Sequence, residues 1–169
     1  MLQALNEDGE LIIPSTLTKQ EICHLRTQKF FCPQCKERLI IRAGPKVIPH
    51  FSHLPKSTCR IGKGGESNYH KQAKWLLYQW LQARLKAKIH LELYLPTIQQ
   101  RPDILIECND KRIAVEFQSA TVSPQEIMKR NKGYRKENIY PLWILGANLF
   151  TPSKSSPYTF KLNHFTQYF

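Results

Sequence analysis

Long apolar runs are missing from this chain. No stretch approaches the roughly 18 apolar residues that an ordinary transmembrane helix needs, so no membrane span is expected. A secretory start is missing too: Met1-Leu2-Gln3-Ala4 leads into acidic residues, not into a basic run and an apolar core. Acidic side chains are scarce. The 169 residues carry 13 Asp and Glu against 25 Lys and Arg, a formal charge of +12. Residues 61–90 are the most one-sided, with a single acid among six bases. Such an excess points to a polyanionic partner, nucleic acid before membrane. A generally basic solvated surface is the plain alternative, and charge alone does not separate DNA from RNA. An even set of cysteines is also lacking. There are five, two of them in a tight Cys-x-x-Cys beside histidines, which argues against a disulfide framework. Metal ligation in a reduced compartment, the cytoplasm, is the expectation.

Few as the acids are, two of them stand out. Arg101-Pro102-Asp103 heads the apolar run Ile104-Leu105-Ile106, and Glu116-Phe117-Gln118 closes Ile113-Ala114-Val115. Asn109-Asp110-Lys111 between them reads as a hairpin turn. Alternation places Arg112, Ala114, Glu116 and Gln118 on one side of their strand and Ile113, Val115 and Phe117 on the other. If Asp103 and Glu116 converge across the hairpin, two like charges meet, which costs free energy unless a cation lies between them. All-oxygen ligands fit a hard ion, Mg²⁺ or Mn²⁺.

Residues 30–60 hold few apolar side chains, and a structural metal would make up for the missing core. Five ligand candidates are present: Cys32, Cys35, His50, His53 and Cys59. A tetrahedral Zn²⁺ site from Cys32, Cys35, His53 and Cys59 is expected, with His50 as the substitute for His53. Cys23 and His24 lie close enough in sequence to offer another combination. Strands are expected over 38–42 and 47–48. Before them, Asp8-Gly9 predicts a hairpin between 2–5 and 11–13, and Thr18 or Ser15 a short helix over 19–25.

A glycine-rich linker at 61–65 precedes a helix that starts at Gly65 or Ser67 and runs to about Arg84. On its wheel Tyr69, Ala73, Leu76, Leu77, Trp80 and Leu81 share one face with Glu66 and His70. Lys71, Lys74, Trp75, Tyr78 and Gln82 point away. Glu66 therefore either delivers a carboxylate to the acidic pair or only complements the helix dipole. Lys88–Leu95 alternates as a strand, with Glu92 reaching the site or pairing with a lysine. Ser123-Pro124-Gln125-Glu126 is a helix start. That helix reaches about Lys136, and Ile139–Leu145 is a last strand whose Pro141 indicates an edge position or a later start. The order of elements gives an α/β domain, a mixed sheet flanked by helices.

Asp103 on one strand, Glu116-Phe117-Gln118 on the next, a glutamate on the preceding helix and a helix after the strands resemble the PD-(D/E)xK nuclease superfamily. With Cys32-Pro33-Gln34-Cys35, His50-Phe51-Ser52-His53 and Tyr140-Pro141-Leu142-Trp143-Ile144-Leu145, the pattern resembles the CoiA family of bacterial competence proteins, from about residue 30 to 146. The resemblance implies a restriction-endonuclease-like core over 63–150 after a small zinc-ribbon-like module over 1–62. Residues 151–169 would be a tail or the start of a further C-terminal region, since family members are longer. It also implies action in natural transformation on single-stranded or branched DNA, beside recombinase-associated proteins.

By position in that family, Asp103 and Glu116 hold Mg²⁺ or Mn²⁺ together with Glu66 and the Phe117 carbonyl. His70 relays a proton or fixes Glu66. Gln118 stands where the family pattern has lysine. It can orient a water but carries no charge, and Lys71 is a distant substitute. Arg101 contacts a phosphate or pairs with Asp103. Lys129, Arg130, Lys132 and Arg135 hold the DNA backbone, and Trp75 and Tyr78 stack on bases or pack against another domain. Two other functions stay open: a catalytically weak or inactive DNA-binding scaffold of the recombination machinery, and a zinc-stabilised module that binds proteins.

Overall fold

The computed structural model describes residues 1–59, 66–153 and 156–161. The predicted linker at 61–65 and the aromatic end at 162–169 lie outside the described residues. The chain divides into two compact units, Met1–Leu77 and Tyr78–Phe169.

In the first unit β1 (Ala4–Leu5) and β2 (Leu11–Ile12) form the predicted hairpin. Gly9 takes φ +82°, open to glycine without a Cβ penalty, and the Asn6 side chain accepts from the amides of Asp8 and Glu10 at 3.0 and 2.8 Å. Helix α1 (Lys19–Leu25) opens on a capping box in which Thr18 and Glu21 satisfy each other's backbone N–H. Strands β3 (Phe30–Phe31), β4 (Arg38–Gly44) and β5 (Val47–His53) complete an antiparallel sheet of order β2-β1-β3-β4-β5. β5 is longer than the 47–48 predicted and carries both histidines. Ala4, Leu25, Phe30, Leu39 and Phe51 pack with Cys32 and Cys59, and the rings of Phe30 and Phe51 lie 4.8 Å apart. So small a core, with cysteines among its members, has little stabilisation to spare.

The second unit holds a mixed sheet of order β6-β7-β8-β9: β6 (Lys88–Leu91), β7 (Ile104–Cys108), β8 (Lys111–Gln118) and β9 (Ile139–Leu145). β6, β7 and β8 pair antiparallel, whereas β8 and β9 run parallel. A parallel pair needs a crossover, which helix α3 (Pro124–Lys136) provides; Ser123 caps it and Pro124 opens it. β9 is an edge, as Pro141 predicts. Leu95, Leu105, Ala114, Tyr134 and Ile139 form a core cluster, so α3 covers the sheet face that carries Ala114. A hairpin of β10 (Thr151–Ser153) and β11 (Ser156–Lys161) follows.

Two sequence expectations fail. β6 stops at Leu91 instead of reaching Leu95, because Glu92 adopts φ +49° and turns the chain. Leu93 and Leu95 still join the core, as loop residues, which is why their alternation imitates a strand. The face assigned to helix α2 (Asn68–Arg84) holds only in part. Lys74, Tyr78 and Leu81 are the buried residues, while Tyr69, Leu76 and Trp80 are 44%, 64% and 51% exposed. Apolar side chains lie nearly all round this helix, so periodicity cannot choose a face. An ion pair at Lys74 removes the usual bar to burying a lysine.

Candidate functional site

The first unit brings four ligand groups together. Cys32 and Cys35 sit in the turn between β3 and β4, where Lys36 takes φ +61° and its N–H returns to the Cys32 carbonyl at 3.0 Å. His53 ends β5, and the Ser57 hydroxyl holds the Cys59 amide at 3.1 Å. Donor atoms of Cys32, Cys35, His53 and Cys59 all lie within 4.8 Å of one another, with Cys35 Sγ 3.3 Å from His53 Nε2. Burial pushes the Cys35 thiol up to about 12, and the nearby Cys59 and Cys32 add to the rise. Three sulfurs this close resist ionising together unless a cation joins them. A divalent, nitrogen- and sulfur-loving ion of tetrahedral habit, Zn²⁺, suits the set. His50 stands apart from it. Its Nδ1 lies 2.8 Å from the Ile48 carbonyl, and burial, the main influence, lowers its pKa. Cys23 is exposed and outside the group.

Glu66, also in the first unit, lies among positive groups. Lys74 Nζ is 2.6 Å from its Oε1, His70 Nε2 3.8 Å, and the terminal amine 4.0 Å from Oε2. Lys74 is wholly buried. Oε2 is buried and accepts no hydrogen bond among the described residues. The sequence placed Lys74 on the open face of α2. No local signal could have moved it, since the partner that justifies its burial is eight residues away on a different segment.

In the second unit the two strand acids adjoin. Asp103 immediately precedes β7, and its Oδ2 accepts the Phe117 N–H from β8 at 2.9 Å. The Asp103 carbonyl accepts the N–H of buried Glu92, also at 2.9 Å. Glu116 follows β8's Val115 and is 5% exposed. Burial raises its pKa most; Arg130 opposes that, and the charge of Asp103 adds to it. Oε1 of Glu116 accepts from both the Tyr134 hydroxyl and Arg130 Nη2. Arg130 Nη2 also reaches the Arg101 carbonyl at 3.3 Å and the Tyr134 oxygen at 3.0 Å. Burial works against the charge of Arg130, yet Glu116 more than restores it and its pKa ends up raised. Tyr134 is pushed up by burial, then by Glu116. An all-oxygen pair whose mutual repulsion is only partly relieved by one guanidinium suits a hard divalent cation.

Other predicted residues are placed differently. Arg130 is not a surface clamp, because its head group turns inward to Glu116. Lys129, Lys132 and Arg135 are exposed, and the last two line an open groove with Met128, Asn131 and Lys136. Tyr78 is buried and its hydroxyl accepts from Gln82 at 2.8 Å, so it offers no stacking face. Trp75 is half-buried. The Gln118 side-chain nitrogen donates to the Ala120 carbonyl. Tyr134 was missed. Its i, i+4 spacing from Arg130 on α3 is the only trace it leaves in the sequence.

No helix among the described residues is long and apolar enough to cross a membrane. The family model "Competence protein CoiA, N-terminal domain" matches residues 14–62, which contain all four residues of the cysteine–histidine cluster. "Competence protein CoiA, nuclease-like domain" matches residues 66–169, which contain Asp103, Glu116, Arg130 and Tyr134. The chain is 37% identical over 148 residues to the competence protein CoiA of Bacillus subtilis (strain 168), covering 88% of this chain and 39% of that protein. It therefore spans about two fifths of that relative's length. With a cysteine–histidine cluster in its first part and a nuclease-like region after it, this chain belongs to the CoiA family.

Proposed function

We propose that the chain is a divalent-metal-dependent DNA nuclease of the PD-(D/E)xK type, acting on single-stranded or branched DNA in the cytoplasm during natural transformation, on a zinc-stabilised N-terminal module. The observation that carries this reading is the approach of Asp103 to Glu116 across neighbouring strands, tied by the Phe117 amide. Asp103, Glu116 and the Phe117 carbonyl would hold Mg²⁺ or Mn²⁺. Such an ion, when bound, lowers the pKa of a coordinated water and offsets charge on the scissile phosphate.

The chain's own groups do the rest. Asp103 is fixed through its carboxylate and its carbonyl, so the side chain needs no reorganisation before it ligates. Glu116 is oriented by two donors on Oε1, which turns Oε2 to ligation. Gln118 orients the attacking water through its side-chain oxygen, its nitrogen being engaged by Ala120. His70 fixes Glu66 or relays a proton. Exposed Lys129, Lys132 and Arg135 hold the strand backbone nonspecifically. In-line attack leaves a 5′-phosphate and a 3′-hydroxyl. Domains divide near residue 62, with a further C-terminal region beyond the core and recombinase-associated proteins as partners.

The test is cleavage of single-stranded, duplex, flap and four-way DNA with Mg²⁺ and Mn²⁺, with Asp103→Asn as control. Products from single-stranded or branched DNA that vanish in the variant support the reading. A second reading, an inactive DNA-binding scaffold, is favoured by the uncharged Gln118 and its engagement with Ala120. DNA binding without metal-dependent products from any substrate would select it.

A further inference from the structure

We propose that Arg130 is the cationic catalytic residue of this site, taking through its Nε edge the phosphate contact that a lysine at position 118 would make. The proposal rests on the nuclease reading above and deepens it. A guanidinium carries five N–H donors in a rigid plane and can serve two acceptors on different edges. Here the Nη2 corner is fully used: it meets Glu116 Oε1, the Tyr134 oxygen and the Arg101 carbonyl. Nε is different. It is buried and has no acceptor among the described residues.

An orphaned buried donor is costly, more so on a charged group, so such atoms call for an explanation. The arginine cannot have drifted there. Its Cζ lies 5.8 Å from the centre of the Tyr134 ring, and three acceptors, one on β8, one on α3 and one in the loop before β7, fix its plane. A positive group locked beside Glu116, with one donor edge unspent, matches an oxyanion that arrives with the substrate. A scissile phosphate oxygen would satisfy Nε in a charge-assisted bond once the groups that now cover this atom give way to substrate. Gln118 cannot offer this, being neutral and committed to Ala120. Tyr134 is then a positioning residue, holding Arg130 and Glu116 at one point.

The test uses the ¹⁵N–¹H resonance of the Arg130 side-chain Nε–H in the wild-type protein, assigned by its loss in Arg130→Lys. Ca²⁺ is added first, then a short thymidine oligonucleotide. The resonance should stay in place with Ca²⁺ and shift on adding the oligonucleotide. In parallel, single-turnover cleavage with Mn²⁺ should fall about 100-fold or more in Arg130→Gln. A wild type that cuts DNA while the Nε–H stays unmoved overturns the assignment and leaves the nuclease reading standing. Arg130→Gln cutting within about threefold of wild type does the same. A wild type that shifts the resonance but neither binds Mn²⁺ nor cuts keeps Arg130 as a phosphate contact and removes the nuclease.

Discussion

The Tyr134 hydroxyl donates to Oε1 of Glu116 where neither residue meets solvent, at 0% and 5% exposure. The tyrosine comes from the crossover helix and the glutamate from the strand beneath it. One hydrogen bond thus ties the structural element that makes a parallel pair possible to an acid of the candidate site. Tyr134→Phe removes one of the two donors on Oε1 and should lower stability by about 1.5–3 kcal/mol, as expected for a bond to a charged group. Arg130→Met leaves a buried carboxylate without its counter-charge and should cost about 3–5 kcal/mol. Urea denaturation midpoints check the ordering. Equal losses for the two variants would mean that Arg130 does not compensate Glu116.

Zinc should copurify with the protein at one equivalent. Cys32→Ser and His53→Ala should lose it, and His50→Ala should keep it, because His50 is engaged with the Ile48 carbonyl. Metal content by atomic emission decides this. Chelation should melt the five-stranded sheet of the first unit, since metal binding in such sites supplies folding free energy directly. Retention of zinc by His53→Ala would reassign the fourth ligand.

Lys74→Met should destabilise the first unit by about 1–3 kcal/mol, discounted because Glu66 is itself 22% exposed. Lys129→Met, at a side chain 77% exposed, should stay within about 0.5 kcal/mol of wild type. Thermal melts of the two variants side by side would show the contrast. A Lys74 variant as stable as the Lys129 variant would contradict the buried pair.

Affinity for single-stranded DNA should fall steeply with salt. Lys132→Gln and Arg135→Gln should each reduce the slope of log affinity against log salt by about 0.7 and weaken all sequences alike. Fluorescence anisotropy from low to high salt measures it. An unchanged slope would remove the α3 groove from the DNA path.

What the sequence revealed was mostly local. The Thr18 and Ser123 caps, the Asp8-Gly9 turn and the Cys-x-x-Cys turn each need only neighbours within a few residues, so their residue types carry the signal. The approach of Asp103 to β8 was also readable, because a hairpin ties positions on its two arms to each other. Lys74 and Arg130 were misread for one shared reason. Each is a charge whose partner lies on a separate segment, Glu66 ahead of α2 and Glu116 on β8. Hydropathy sends both to the surface, and only the fold supplies the carboxylate that brings them in. β6 was overextended because Leu93 and Leu95 keep a strand's alternation while Glu92 has already left the strand.

Glu92 carries a consequence of its own. A long acidic side chain, 1% exposed, sits at a left-handed backbone position that favours glycine and asparagine over glutamate. The same corner supplies the amide that grips the Asp103 carbonyl. Glycine and asparagine are at ease in that geometry, so Glu92→Gly and Glu92→Asn weigh the backbone strain of this corner against what the side chain contributes there. A selection for heat resistance alone would show which of the two wins, and whether durability and turnover pull this fold in opposite directions.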